Sequence, residues 1–505
     1  MKSLMQLWIC VLEELGTQVG ICTTQDRKTA LRRFEHEGLS FLTITLPSYG
    51  QEFQKALDQG GVSHDQFRPW AKTGQLPKFL GELLDLVFDR NSGMLLFDPD
   101  VDAIFAIRQL TLMMSKVQIP CSDARVRKAI SGYMETEKEV KRHDARRSES
   151  DLLAFGRVSR LLLADVLSQC DRKVFTEEFR PKHGPGATAD KLSGNRKFYQ
   201  TEWTQRLERV FPALTFLTPG WSYDYMLEHV HFLAPEQERP VRVITVPKTL
   251  KTPRIIAIEP TCMQYTQQAL LEVFVDELKK DDILSQFIGI DDQFPNQDLA
   301  RKGSIDRNLA TLDLSEASDR VSNQLVREML SLYPHFAEGV DACRSRKADV
   351  PGHGVIRLAK FASMGSALTF PIEAMVFLTI IFVGIENVLG RQLTRQDLKG
   401  FCGRVRIYGD DIIVPVESMR SVAQSLEDYG LKVNVSKSFG AGKFRESCGG
   451  DYYHGEWVTP IRVRSLFPSR RKHVDEIVST VSLRNQLFKA GYQRSVMFLV
   501  PPDTR

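Results

Sequence analysis

The chain has 505 residues, 42% of them hydrophobic, and carries 67 basic side chains against 63 acidic ones. This size and composition predict a large buried core divided among two to four domains or subdomains, and they exclude a disordered, collagen-like or repeat protein. The net charge of +4 does not indicate nucleic-acid binding without local clustering. Eight scattered cysteines without a Cys-x-x-Cys pair argue against a disulfide framework or zinc site and favour reduced thiols in the cytoplasm.

The first half of the chain alternates helical patterns with short apolar runs such as 41–47. Glu13 and Glu14 interrupt the N-terminal apolar stretch, which predicts an amphipathic helix instead of a signal peptide. A mixed-charge stretch, 135–151, is interpreted as a solvated helix or loop. The Gly/Pro-rich loop 182–190 is either a surface turn or a phosphate-contacting turn.

Further along, the pattern becomes strand-like. Two apolar runs, 241–247 and 254–260, predict strands joined by a basic turn, and a helix is expected over 267–280. The most hydrophobic run, 374–385, is too short to cross a bilayer and predicts a buried helix in a soluble protein.

One expected hairpin carries two adjacent carboxylates, in the sequence Tyr408-Gly409-Asp410-Asp411. Apolar β-forming runs on both sides predict two strands joined by a tight Gly-Asp turn. Carboxylates on such strands are unfavourable unless water or a divalent metal neutralises them. The motif alone fits a solvated turn equally well.

A second acidic position, Asp313, lies where an upstream strand, 309–314, leads into a helix expected near 315–318. The end of a strand holds a metal ligand rigidly and leaves it accessible. A helix N-cap is the competing interpretation of Asp313, although Ser315 suits that position as well.

Two-metal phosphoryl transfer requires carboxylates from separate strands around ions roughly 3.5–4 Å apart, and oxygen ligands suit magnesium. We therefore expect Asp313 and Asp410 to hold two Mg²⁺ ions, with Mn²⁺ as a substitute and Asp411 as a supporting or second-metal ligand.

The order of four motifs resembles the palm of template-dependent polymerases: DLSEASD (313–319), SMGSALTFP (363–371), YGDD (408–411) and the lysine in VNVSKS (433–438). The chain is most similar to the replicase subunit of the single-stranded RNA bacteriophages, the levivirus-like group, which the HGPGAT and FLTITLP segments also resemble. The resemblance extends from about residue 30 to residue 465. It implies an RNA-directed RNA polymerase, a nucleotidyltransferase that replicates a viral RNA genome from NTPs and releases pyrophosphate.

The resemblance also implies roles for individual residues. The three aspartates would hold the metals, the basic turn would grip the incoming triphosphate, and a loop beside an aspartate would recognise the ribose and position the templating base. The nucleotide-binding residues are Lys248, Lys251, Arg254, Asp319, Ser363, Gly365, Ser366 and Thr369, with Arg242 as a further candidate. A cationic turn would stabilise the leaving pyrophosphate, although the same residues also fit a solvated hairpin.

Two further positions bear on the chemistry. Lys437 follows the expected strand 431–435 and would protonate the departing pyrophosphate as general acid, although a solvated lysine fits that position equally well. Glu373 stands where many viral RNA polymerases have an asparagine. This departure makes the inference about ribose selection weaker than the one about metals, although the phage replicases share it.

The implied fold is α+β, a right-hand polymerase with a small antiparallel palm sheet flanked by helices. The expected regions are the N-terminal region and fingers (1–235), a basic fingertip hairpin and palm entry (236–300), the palm with a fingers insertion near 330–360 (301–448), and the thumb (449–505). Thumb arginines would line the exit for duplex RNA through phosphate contacts. These are Arg462, Arg464, Arg470 and Arg471.

The sequence is also compatible with three different functions. A reverse transcriptase shares the palm and the metals, but usually has a larger residue than Gly409 between the tyrosine and the aspartates. A metal-dependent nuclease and a catalytically silent RNA-binding scaffold are the second and third. The resemblance implies template RNA, NTPs, host elongation factors Tu and Ts and a small-subunit ribosomal protein as partners, no membrane, and the cytoplasm of an infected bacterium as location.

Overall fold

A computed structural model describes residues 2–500; residue 1 and residues 501–505, at the outer ends of the first and last expected regions, lie outside the described residues. Its α-helices, in chain order, are α1 (Lys2–Val19), α2 (Thr24–Glu37), α3 (Leu46–Gln59), α4 (Gly81–Asp85), α5 (Val101–Leu112), α6 (Asp123–Arg146), α7 (Glu149–Phe175), α8 (Gln205–Val210), α9 (Ala213–Phe216), α10 (Thr261–Leu278), α11 (Leu284–Phe287), α12 (Phe294–Asp306), α13 (Asn323–Leu330), α14 (Pro334–Cys343), α15 (Thr369–Leu389), α16 (Arg395–Phe401), α17 (Met419–Asp428), α18 (Val474–Lys489) and α19 (Gln493–Leu499). Shorter 3-10 or π segments occupy Phe41–Thr45, Gly194–Phe198, Trp221–His229, Ser318–Arg320, Val416–Ser418 and Val435–Lys437.

The strands form small separate sheets between these helices. They are β1 (Lys72–Thr73), β2 (Leu76–Pro77), β3 (Glu202–Thr204), β4 (His231–Leu233), β5 (Val241–Val246), β6 (Arg254–Ile258), β7 (Leu309–Leu312), β8 (Lys347–Val350), β9 (Gly354–Arg357), β10 (Arg406–Tyr408), β11 (Asp411–Pro415), β12 (Phe444–Ser447), β13 (Gly450–Tyr453) and β14 (Glu456–Trp457). Helices around small, mainly antiparallel sheets make the fold α+β, as the sequence predicts.

The central sheet has the strand order β10–β11–β7 and is antiparallel. All four side chains of β7 are buried, as are those from Ile412 to Pro415 in β11. Such largely apolar runs, half of whose residues are β-branched, are stable as strands when both faces are covered. The register pairs Leu312 with Ile412 and Tyr408 with Asp411, so the ends of β7 and of the β10–β11 hairpin lie at one edge.

Helix α15 lies in the main hydrophobic core together with side chains of the central sheet. It is long and apolar enough to cross a membrane by length and composition, but 83% of its most apolar window is buried inside the protein. It packs on α7 and α17. The helix is therefore a buried core element, as the sequence predicts.

A second sheet carries the basic turn and has the order β6–β5–β8–β9. The two expected strands pair antiparallel from Arg242 with Ile258 to Val246 with Arg254, which confirms the predicted hairpin. Strand β8 joins β5 in parallel and brings the 330–360 insertion onto the same sheet.

The two ends of the chain share one hydrophobic core, formed by side chains between positions 4 and 119 and between 439 and 492. Asp58 Oδ1 accepts hydrogen bonds from the amides of residues 440–442 at 3.0–3.1 Å. The N-terminal region thus supports the chain that follows the central sheet. The expected domain boundaries stay a prediction.

Two local expectations are wrong. The run 431–435 is not a strand, because Val433 makes only a single bridge, to Leu314, before the chain turns into a 3-10 segment. No α-helix begins at 315–318; the chain forms a turn and then a 3-10 segment from Ser318 to Arg320, and α13 begins only at Asn323. In both places nearby tertiary hydrogen bonds compete successfully with the local preference.

Candidate active site

The carboxylates converge at the edge of the central sheet. Asp313 follows the last residue of β7, and continuing the register beyond the Leu312–Ile412 pair brings it opposite Asp411. Asp410 stands at the exposed turn of the hairpin, where Gly409 has φ +59°. The structure therefore brings together the two chain segments that the sequence singled out.

The side chain of Asp313 is held from the segment 434–438. Asn434 Nδ2 donates to Oδ2 at 2.7 Å, and Lys437 Nζ lies 3.6 Å from Oδ1. The Ser438 hydroxyl accepts a hydrogen bond from the Asp313 amide at 3.3 Å. Burial raises the pKa of Asp313 to about 6, with Asp410 adding to the effect and Lys437 opposing it.

Asp411 is held from the turn between β12 and β13. Its Oδ1 accepts a hydrogen bond from the Cys448 amide at 3.0 Å. Burial is the main cause that raises its pKa to about 7, and the charges of Asp410 and Asp313 add to it. Within residues 2–500, no group of three or more His, Cys, Asp or Glu side chains is arranged closely enough to hold a metal ion by itself.

The basic turn lies within electrostatic range of the aspartates. Desolvation and the charge of Arg254 lower the pKa of Lys248, whereas Asp410 and Asp313 act to raise it. Lys251 and Arg254 are exposed on the same turn. Arg242 lies lower on β5, and its Nε is buried without a hydrogen-bond partner. Among residues 2–500, Lys248, Lys251 and Arg254 have no ion-pair partner, so the turn presents three cations on the side of the carboxylates, whereas Arg242 is partly buried in the sheet.

Asp319 is fixed by two side chains from the chain around position 360. Ser363 Oγ donates to Asp319 Oδ1 at 2.7 Å, and Lys360 Nζ donates to the same oxygen at 3.1 Å. Lys360 is fully buried, with its ammonium 3.6 Å from the centre of the Tyr133 ring. The expected ribose-recognition residues Asp319 and Ser363 are therefore in direct contact.

The loop 363–366 packs tightly against strand β6. Gly365 has φ +137°, and a Cβ there would lie 2.0 Å from the carbonyl oxygen of Ala257, so only glycine fits. The Ala257 amide donates to the Met364 carbonyl at 2.9 Å. Thr369 Oγ1 donates to the Ser363 carbonyl at 2.8 Å, which is the holding contact expected of it. Ser366 closes the turn with its amide and hydroxyl.

Glu373 is buried beneath the hairpin. Its Oε2 has no hydrogen-bond partner, and its Oε1 would lie 3.6 Å from a Cβ built on Gly409. Burial raises its pKa well above the usual value, and the charges of Asp410 and Asp319 act in the same direction. The departure from asparagine thus puts a buried carboxyl group within electrostatic range of both Asp410 and Asp319.

The arginines expected in the thumb divide into two groups. Burial is the main cause that lowers the pKa of Lys116 to about 8, and the charges of Arg462, Arg464 and Lys437 act in the same direction. These cations therefore lie near one another. Arg462 is also 3.6 Å from the buried carboxylate of Asp451. Arg470 and Arg471 are exposed farther along the chain.

Sequence reasoning missed the residues that support the site from a distance in the chain: Lys360, Tyr133, Asn434 and Lys116. Asn434 lies within a motif that was noticed for its lysine, so its position was the available signal. Lys360 and Tyr133 gave no signal, because a lysine and a tyrosine are ordinary surface residues until the fold buries them.

The chain is similar to known proteins over the region that carries these residues. A family model described as RNA replicase, beta-chain, matches residues 234–487. A stretch of 245 residues is 37% identical to the RNA-directed RNA polymerase beta chain of Escherichia phage MS2 and covers 48% of this chain and 40% of that relative. Over 223 residues the chain is 36% identical to the RNA-directed RNA polymerase subunit beta of Escherichia virus Qbeta, covering 44% and 35%.

Solved structures resemble the chain more distantly. A chain described as an RdRp complex has a TM-score of 0.42 at 12% identity, covering 68% of this chain and 33% of its own length. The RNA-dependent RNA polymerase of a human picobirnavirus has a TM-score of 0.37 at 11% identity, covering 52% and 55%. The matched stretch amounts to well under two thirds of the curated relatives' length. Since the family model spans half of the chain and includes the hairpin, the loop and the basic turn, the chain belongs to the RNA replicase beta-chain family.

Proposed function

We propose that the chain is an RNA-directed RNA polymerase that extends an RNA strand with NTPs. The observation that carries this proposal is the register of the central sheet, which sets Asp313 at the end of β7 beside Asp410 and Asp411 on the neighbouring hairpin. The cationic turn lies close enough for the charges of Asp410 and Asp313 to act on the pKa of Lys248. Family membership supports the same activity.

The donor set fits magnesium in kind, because it consists of carboxylate oxygens at a strand edge. Asp313 and Asp411 have raised pKa values, which means that their charges are poorly compensated by the protein alone. We infer that Asp313 and Asp410 hold two Mg²⁺ ions, with Asp411 in support and Mn²⁺ as a substitute. Bound there, the ions would stabilise negative charge on the reacting phosphate.

The chain's own side chains then account for the rest of nucleotidyl transfer. The RNA 3′-hydroxyl loses its proton to water and its oxygen forms a bond to the α-phosphorus. The bond from that phosphorus to the β-phosphate oxygen breaks, and its electron pair leaves with the pyrophosphate. Lys248, Lys251 and Arg254 bind the triphosphate, and Lys437 Nζ gives its proton to the leaving pyrophosphate. Lys437 is charged for this role, because Asp313 and its acidic neighbours raise its pKa against the effect of burial.

Asp319 and the loop 363–366 would select the nucleotide. The Asp319 carboxylate and the Ser363 hydroxyl form a preorganised pair of polar groups for the ribose, and Ser366 follows on the tight loop around Gly365. Thr369 holds this loop by its hydrogen bond to the Ser363 carbonyl. A rigid arrangement of this kind lowers the entropic cost of positioning the nucleotide.

Basic side chains of the thumb would bind the phosphates of template and product. Arg464, Arg470 and Arg471 are exposed and suit this role, whereas Arg462 is partly committed to Asp451. Replacement of Arg470 and Arg471 by alanine should weaken duplex RNA binding and reduce its salt dependence by about two phosphate contacts. Unchanged affinity and salt slope would remove these residues from the RNA path.

The activity is tested by magnesium-dependent, GTP-initiated synthesis on an RNA template that ends in cytidine. Asp410→Asn should abolish incorporation, because it removes a charged metal ligand while preserving size and hydrogen bonding. Asp282→Asn changes an exposed carboxylate outside the site and serves as the matched control. Incorporation that persists in Asp410→Asn at the wild-type rate would refute the assignment.

Substrate choice separates this proposal from a reverse transcriptase. A Cβ at Gly409 would lie 2.8 Å from the Phe370 ring, so the hairpin does not admit the larger residue usual in reverse transcriptases. Preference for NTPs over dNTPs on one RNA template is the expected result. A nuclease or a silent RNA-binding scaffold would incorporate neither.

Partners and location are proposed from the resemblance. Host elongation factors Tu and Ts and a small-subunit ribosomal protein are expected to bind this chain in the cytoplasm of an infected bacterium. Purification with and without the bacterial elongation factors, followed by the GTP-initiated assay, tests this expectation. Full activity of the isolated chain would show that these partners are not required.

A further inference from the structure

A group of aromatic side chains is exposed to solvent between positions 198 and 225. The exposed fractions are 81% for Trp221, 73% for Tyr199, 66% for Phe198 and 59% for Tyr225. Large aromatic rings are normally at least half buried in a folded domain, so several exposed rings together indicate a binding surface.

These rings come from two segments that the fold joins. The His231 amide donates to the Thr201 carbonyl at 2.8 Å, and β3 and β4 then pair in parallel. Tyr199 lies two residues before Thr201 in the chain. The 3-10 segment Trp221–His229 ends two residues before His231. The two chain segments that carry the exposed rings therefore meet at one sheet edge.

A second link runs through Tyr265. The His183 ring stacks on Tyr265 with centroids 4.4 Å apart and meets Phe198 edge-on at 4.8 Å. The Tyr265 hydroxyl donates to the Phe216 carbonyl at 2.9 Å, and α9, which ends at Phe216, packs on the segment that carries Trp221. The exposed rings thus stand on a supported base.

The same region concentrates positive charge. Residues 180–200 contain five basic side chains and one acidic side chain, an excess equal to the net +4 of the whole chain. Arg180, Lys191 and Arg196 are exposed, and within residues 2–500 no ion pair is found for them. Lys197 is buried and donates to the Gly184 carbonyl at 2.6 Å, so it fixes the Gly/Pro-rich loop.

This region is tied to the nucleotide site through β6 and the residues just after it. The Ala189 amide donates to the Glu259 carbonyl at 2.8 Å, and Thr261 Oγ1 donates to Asp190 at 2.6 Å. Two residues before Glu259, Ala257 contacts the loop around Gly365. A strand of RNA lying on the exposed rings would therefore lead toward the residues proposed to position the templating base.

We propose that these rings and cations, named here the aromatic–basic surface, bind the single-stranded template before it enters the active site. The surface consists of Arg180, Lys191, Arg196, Phe198, Tyr199 and Trp221. Exposed rings stack on unpaired bases, which a duplex does not offer, and the unpaired cations contact the backbone phosphates. The inference that the bound strand leads into the active site rests on the proposed polymerase function. The inference that this surface binds single-stranded RNA does not.

The test measures binding of a labelled 12-nucleotide oligouridylate and of a 12-base-pair RNA duplex to the full chain. Tyr199→Ala and Trp221→Ala should each weaken oligouridylate binding about 5- to 150-fold, with little change for the duplex. Arg196→Ala should reduce the salt slope for the single strand by about 0.7. Phe97→Ala, at a fully exposed ring, and Arg32→Ala, at an exposed cation on α2, are the matched controls.

Circular dichroism confirms that each variant is folded before it is compared. Oligouridylate affinity within twofold of wild type in all three variants would overturn the proposal, and so would equal losses for single strand and duplex. Asp282→Asn, which changes an exposed carboxylate outside both sites, should keep wild-type oligouridylate affinity. If the wild type binds oligouridylate through these residues but synthesises no RNA even with the bacterial elongation factors and the ribosomal protein added, the proposed function fails while the surface stands.

Discussion

Lys360 Nζ donates a hydrogen bond to Asp319 Oδ1 at 3.1 Å, and the lysine side chain is fully buried. Its ammonium also lies 3.8 Å from Glu137 and 3.6 Å from the centre of the Tyr133 ring. These neighbours keep the lysine charged, since Asp319, Tyr133 and Glu137 together raise its pKa in spite of burial. One buried cation thus orients the aspartate proposed to recognise ribose.

Lys360→Met should destabilise the protein by about 3–5 kcal/mol, because it removes the buried cation that lies beside both the buried Glu137 and the partly buried Asp319. Urea denaturation measures the change in the free energy of unfolding. Lys138→Met removes a lysine from an exposed pair on α6 and should cost less than about 1 kcal/mol. Equal effects of the two substitutions would mean that the buried contact has no special role.

Gly365→Ala should lower kcat/KM for NTPs about 5- to 150-fold with little effect on RNA binding. The added Cβ would lie 2.0 Å from the Ala257 carbonyl, and displacing the loop or β6 costs about 1–3 kcal/mol. Steady-state kinetics on a fixed template measures this effect. Gly132→Ala, in α6 with nothing within 4 Å, should keep activity and add up to about 1 kcal/mol of stability. Wild-type kinetics in Gly365→Ala would contradict the role given to the loop.

Asn434→Ala should reduce polymerase activity about 10- to 100-fold and raise the magnesium concentration needed for half-maximal rate. The amide orients Asp313 through a 2.7 Å hydrogen bond, and such supporting contacts tune metal affinity. A magnesium titration of the initial rate measures both changes. Asn485→Ala, exposed on α18, is the control. A fall in rate that no magnesium concentration relieves, with unchanged half-saturation, would argue for a different role.

Glu259→Gln should alter how stability depends on pH. Burial raises the pKa of Glu259 to about 7, although Ser345 and Gln267 donate hydrogen bonds that favour its charged form. Between about pH 4.5 and 7 the folded state binds more protons than the unfolded state, so this group lowers stability as pH rises and has no further effect above pH 7.

The wild type should lose about 3 kcal/mol of its free energy of unfolding when Glu259 is fully ionised. The glutamine variant has no charge to bury and should not lose it. Urea denaturation of both proteins at pH 5, 6, 7 and 8 gives the difference. The variant should become more stable relative to wild type as pH rises to 7 and then keep a constant advantage. A difference that does not change with pH would mean that Glu259 is ionised throughout.

Part of this site was predictable because its chemistry is written in consecutive residues. A glycine and two aspartates between β-branched runs determine a hairpin with carboxylates at its tip, whatever the rest of the chain does. The basic turn between two apolar strands and the apolar helix α15 follow in the same way from short-range patterns. Their order along the chain led to the resemblance, and the family match confirms it.

The tertiary structure decided which distant residues complete the site. Asp411 turns to the Cys448 amide, Lys360 is buried under Asp319, and the two ends of the chain share a core. The strand expected over 431–435 was wrong for the same reason, since tertiary partners determine the conformation of a short segment. The sequence by itself determined the reactive groups, because local patterns specify strands, turns and charges; only folding decided their neighbours and their burial, because those depend on contacts between residues hundreds of positions apart.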